Sequence, residues 1–152
     1  MAATGYRTVM IQGCEARLEG LAGAGTIKPG HLLTYSSGNV IIHGTADGAQ
    51  ERLFAIESPT ADSNTLLSID VPYANGDTVY MTRPAPGDVV YAFLATANNA
   101  VKGVSQLVSN GDGTLKIAVV SATTLTNSIV GVPEENNNNA TGSPVRLKIR
   151  VN

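Results

Sequence analysis

Tryptophan is absent from this 152-residue chain, phenylalanine occurs twice and cysteine once, and charged residues are scarce. Each shortage removes a class of explanation. A single Cys14 forbids an intramolecular disulfide. No run of about 18 apolar residues occurs, so no membrane-spanning helix is expected. The opening MAATGYRTVM lacks the apolar core of a secretory signal, and synthesis in a cytosol-like compartment is expected. Missing tryptophan weighs against sugar binding, which favours large aromatic platforms. Only 14% of residues are charged, against roughly 25% in an ordinary domain, and the net charge is −2. That balance argues against direct nucleic-acid binding, which neutralises phosphates with Lys and Arg.

What remains is apolar and neutral-polar. A chain of this length fits one domain of roughly 100–200 residues, long enough to bury a real core. That core must be Val, Ile, Leu and Ala, with five tyrosines at half-buried positions. Gly, Asn, Ser and Thr make up much of the surface, as suits a chain held against neighbours.

Residues 76–118 carry the clearest architecture. Short β-rich runs, TVYM, DVVYAFLA, SQLV and TLKIA, are divided by Gly-Asp and Asn-Gly-Asp-Gly corners. Period-2 runs with turn chemistry between them predict an antiparallel sheet wound tightly on itself. Residues 31–35 and 40–43, joined through Ser37-Gly38-Asn39, read as one hairpin. Residues 106–108 and 115–117, joined through Asn110-Gly111-Asp112-Gly113, read as another. Residues 14–24 suit either a strand or a short helix, although Gly20, Gly23 and Gly25 make a long helix improbable. Pro84 and Pro86 mark a strand break or sheet edge. The Asn-rich stretch 134–144 has too little apolar area to offset its ordering entropy and is expected as a mobile exposed loop.

The C-terminal run Val145-Arg146-Leu147-Lys148-Ile149-Arg150-Val151 alternates without a fault. One face must pack on a core and the other present three cations. Those cations protect a solvated sheet edge or meet an acidic partner, and the pattern alone does not choose between them.

No catalytic or metal motif emerges. His31 and His43 lack ligand spacing, and Cys14 reads as a small buried hydrophobe. Asp77, Asp88 and Asp112 each follow a glycine and read as turn residues. No glycine-rich phosphate loop or nucleophile elbow is present.

The order of motifs resembles a known family. Lys28-Pro29-Gly30-His31-Leu32-Leu33 comes first, followed by Tyr73-Ala74-Asn75-Gly76-Asp77-Thr78-Val79 and Pro86-Gly87-Asp88-Val89-Val90-Tyr91-Ala92. Val101-Lys102-Gly103, Leu107 through Leu115 and the alternating basic strand complete the series. This is similar to the head decoration, or capsid cement, proteins of tailed bacteriophages, over roughly residues 27–118 plus the last strand. Segment 119–144 departs from the pattern.

The resemblance implies a compact antiparallel β-barrel or tulip-like β-domain with a flexible N-terminal arm. Residues 1–13 would be the arm and first strand, and residues 14–152 a single β-domain. Such a protein is non-enzymatic and needs no cofactor or metal. It would bind the major capsid protein across subunit junctions on the outer surface of the virion. It would also bind itself, as a trimer first and a dimer second. The candidate interface residues are Tyr6 and Arg7 in the arm and Arg146, Lys148 and Arg150 in the last strand. The alternative is a receptor- or glycan-binding β-module of a phage tail or appendage, for which Tyr73 and Tyr91 are the near-turn aromatics. A hydrolase on a β-scaffold would need two carboxylates facing across a cleft, and no such pair is visible.

Overall fold

The computed structural model describes residues 8–13, 16–59, 67–119, 128–140 and 142–152. Two curled sheets and a short ribbon account for its strands, and no α-helix occurs among the described residues. The first sheet runs β1 (Met10–Gln12), β7 (Val89–Leu94), β10 (Leu115–Ile117), β9 (Leu107–Ser109), β11 (Ile129–Pro133) and β13 (Val145–Val151). β13 then pairs back onto β7, from Val145 opposite Leu94 to Arg150 opposite Val89. Five strands thus close into a barrel, and β1 lies along the start of β7.

The second sheet runs β2 (Arg17–Leu21), β6 (Thr78–Thr82), β5 (Leu53–Ala55), β3 (Leu32–Ser36) and β4 (Asn39–Ile42), antiparallel throughout. The Gly23 amide donates to the Val40 carbonyl at 2.8 Å, and Ala22 bridges Val40. The ends of β2 and β4 therefore meet, and this sheet also curls back on itself.

β3 and β5 join the two halves. Their side chains alternate in direction, and over Leu32-Leu33 of β3 and all of β5 both faces are buried. Leu32 and Phe54 enter the barrel core with Val90, Leu94, Leu107, Leu147 and Ile149. Leu33, Leu53 and Ala55 enter a second core with Ile27, Val40, Val79 and Met81. A strand buried on both faces reads as an uninterrupted apolar run, and Leu32-Leu33 and Leu53-Phe54-Ala55 do so. Each fully buried side chain of this size contributes about 1.5–3 kcal/mol, so mainly aliphatic residues, with Phe54 in one core and Tyr73 in the other, suffice to fill both.

The turns follow their residues. Ser37 and Gly38 both have positive φ, 50° and 82°, the geometry of a two-residue hairpin loop whose twist matches its strands. In residues 74–77 and 85–88 the alanine amide donates to the carboxylate of Asp77 (2.7 Å) or Asp88 (2.9 Å). The aspartate amide returns a bond to the alanine carbonyl in each case. Of the ambiguous stretch 14–24, Arg17–Leu21 form a strand, β2, while Cys14 and Glu15 lie outside the described residues.

Three expectations change. The 134–144 stretch is not a structureless exposed loop. Asn137–Asn139 form β12, paired with β8 (Asn98–Ala100), and Asn139 is 5% exposed. Its amide donates to the carbonyls of Leu94 and Ser143, so side-chain hydrogen bonds replace the missing apolar burial. β13 is not a sheet edge either, because β7 and β11 flank it on both sides. The tyrosines are not uniformly half-buried: Tyr73 is in the core, whereas Tyr35 is exposed.

Barrel closure yields a sharp test at Gly131, where β11 passes between β9 and β13. A Cβ there would collide with the carbonyl oxygen of Arg150, and backbone cannot swing aside. Gly131→Ala should lower the unfolding free energy by about 1–3 kcal/mol in a denaturant titration. An unchanged midpoint would mean that the ring is not closed there.

Candidate docking face

The outer face of β7 and β13 gathers the residues singled out in sequence. Val90, Ala92, Leu94, Leu147, Ile149 and Val151 point into the barrel and are buried. The alternating set points outward in register: Arg146 opposite Phe93, Lys148 opposite Tyr91 and Arg150 opposite Val89. The three cations share one face and end in three different environments.

Arg146 is enclosed. Its side chain is only 9% exposed and lies over the Phe93 ring, 4.7 Å from the centroid. Nη1 donates to Asp70 at 2.6 Å, and Nη2 donates to the carbonyls of Pro29 (3.1 Å) and Ile69. Charge-assisted bonds to a carboxylate and two carbonyls balance most of the cost of burying the guanidinium. Its buried Nε has no partner. Arg146 therefore ties β13 to the segments at Pro29 and Ser68–Asp70, and its cation is withdrawn from solvent.

His31 packs on the same ring, 5.1 Å away between centroids and tilted by 59°. Its Nδ1 accepts the Lys28 amide at 3.2 Å. Burial, together with the charges of Lys28 and Arg146, lowers its pKa from 6.5 to about 4, while Asp112 pulls the other way. Asp112 is itself raised by burial. Hydrogen bonds from the Thr114 hydroxyl and amide and from Asn110 outweigh this and hold it below the usual range.

At the other end the face is open. Arg150, 55% exposed, pairs with Glu134. Lys148 is half-buried and makes no ion pair among the described residues. These side chains line a cleft of about 480 Å³ together with Ile11, Gln12, Gly87 and Val89. β1 supplies two of these residues through a bulge: Met10 and Gln12 oppose the consecutive residues Val90 and Val89. The extra residue re-aims the strand, and Ile11 is 39% exposed. The bulge is invisible in the sequence, so reading alternation alone missed Ile11 and Gln12.

Of the candidate residues, then, the structure brings Lys148 and Arg150 together with the first strand and draws Arg146 inward. Tyr6 and Arg7 lie outside the described residues. Where the described chain begins, Glu57 accepts bonds from the Thr8 hydroxyl (2.6 Å) and the Val9 amide (3.0 Å).

The tyrosines considered for glycan binding offer no exposed platform. Tyr73 is 4% exposed and donates to the Ile56 carbonyl at 2.7 Å, with its pKa raised by burial. Tyr91 is half-buried, and burial and then Glu135 raise its pKa. A Ser–His contact exists at Ser109 and His43, 2.7 Å apart, but both residues are buried. His43 Nε2–H donates to the Ala49 carbonyl, so Nδ1 accepts from Ser109, whose oxygen also takes the Gly111 amide. That chain braces a hairpin corner. Among the described residues no group of three or more His, Cys, Asp or Glu is placed to hold a metal ion. No protein-family model matches the chain, and no curated protein matches it.

Two predictions separate the closed end from the open one. Arg146→Ala should cost roughly 2–4 kcal/mol of stability, whereas Arg150→Ala should stay within about 1 kcal/mol, as an exposed pair does. Equal losses in denaturant titrations would refute the division. For His31, the unfolded ring protonates near pH 6.5 and the folded ring near 4, so the unfolded state binds more protons in between. Stability is retained above pH 6.5 and should fall by up to ~3 kcal/mol as pH drops to about 4. His31→Gln should flatten that part of the profile. An unaltered slope would show that other groups set it.

Proposed function

We propose that this chain is a structural protein that decorates the outer surface of a phage head, binding the major capsid protein across subunit junctions and stabilising the shell. Self-association into a trimer at local three-fold positions is part of the reading, since closed symmetry favours it. The observation that carries it is the convergence of the first strand with Lys148 and Arg150 in one open cleft, on a barrel otherwise held together internally. A clamp works through many contacts on a rigid body, and repeated copies gain from multivalency.

Other features support the same reading. The β9–β10 hairpin and the Gly-Asp corners, whose order carried the resemblance, form as turn-linked strands. The described surface also exposes Val104 and Val119 by 76% and 84%, apolar groups suited to lateral packing between copies. The chemistry is binding without turnover.

Purified protein should co-sediment with expanded, undecorated phage heads and saturate at a copy number set by shell symmetry. Lack of binding to any such head would sink the proposal and shift the weight to an appendage-borne binding module.

A further inference from the structure

We infer that the cleft between β1 and β13 binds an extended acidic peptide segment of a partner protein, with a carboxylate taken by Lys148 and Arg150 and an aliphatic side chain resting on Ile11 and Val89. The inference rests on the decoration reading only for the partner's identity, which there would be a capsid subunit.

Size, an unpaired ammonium and preorganisation each support this occupant. About 480 Å³ lies within the range of working binding sites, roughly 300–1,000 Å³. Among the charges here Arg150 is paired with Glu134, and Glu135, although it accepts the Lys148 amide, forms no ion pair with the Lys148 ammonium among the described residues. Glu134, itself 18% exposed, orients the Arg150 guanidinium and leaves other donors of that fork for a ligand. The Lys148 ammonium is unpaired among the described residues, so a partner carboxylate would not displace an existing ion pair.

The backbone beneath these side chains is already fixed. The Lys148 amide donates to Glu135 and the Lys148 carbonyl accepts from the Glu134 amide. The Gly87 amide donates to the Val151 carbonyl. Little ordering entropy is left to lose on binding. Ile11, pushed out by the bulge, is the apolar shelf beside the charges. The chain's own first seven residues, MAATGYR, carry Arg7 and no acidic residue, so they do not complement the cleft.

The test is an NMR titration of the full chain with three synthetic octapeptides, alternating valine with glutamate, glutamine or lysine. The glutamate peptide should shift the amides of Gln12, Val89, Lys148 and Arg150, and added salt should weaken it. Lys148→Met keeps the aliphatic stem and should weaken the glutamate peptide by about tenfold. The glutamine and lysine peptides should leave those amides unmoved. Equal binding of the glutamine peptide, shifts elsewhere, or no shifts at all would overturn the inference. Cleft binding without attachment to heads would leave the inference standing and remove the decoration reading. Heads loaded equally by wild type and Lys148→Met would do the reverse.

Discussion

Two strand segments buried on both faces, Leu32-Leu33 of β3 and the whole of β5, set the architecture. β3 and β5 send successive side chains into different cores, so Leu32 and Phe54 pack in the barrel while Leu33, Leu53 and Ala55 pack in the second half. A shared wall of this kind allows no slip in register, because a shift of one residue would exchange the two core sets. It also fixes where the halves meet. Beside that wall Arg146, Phe93, His31 and Asp70 form a joint that fixes the turn before β3 and the Ser68–Asp70 turn against the outer face of β7 and β13.

That joint explains how one repeating pattern yields three outcomes. Arg146, Lys148 and Arg150 occupy equivalent outward positions two residues apart, and the alternation gives no reason to tell them apart. What differs is the covering. Pro29, Ile69 and Asp70 enclose Arg146, Glu134 engages Arg150 at the surface, and Lys148 stands half-buried between them. The functional reading follows from this gradient: one end of the face serves the fold, and the other is available to a partner.

Much of the fold was legible because it rests on local chemistry. Alternation located β13, the Ser37-Gly38 and Asn110–Gly113 corners located two hairpins, and Gly-Asp placed the turns before β6 and β7. Strand order, closure and edges are non-local, which is why alternation left β13 open as a sheet edge and only the pairing makes it an interior strand. The Asn-rich stretch failed for a related reason. Its burial comes from the Asn139 amide reaching the Leu94 carbonyl, a partner 45 residues away that composition cannot reveal. In the candidate site the basic residues were visible, whereas Ile11 and Gln12 depended on a bulge and Glu134 on a fold-back.

Hydrogen exchange on heads loaded with the wild-type protein tests the central claim most directly. The account predicts slowed exchange at residues 10–12, 87–89 and 148–151 relative to the free protein, with the β3–β4 hairpin unchanged. Protection confined to that hairpin, with the cleft exchanging as in the free protein, would contradict it.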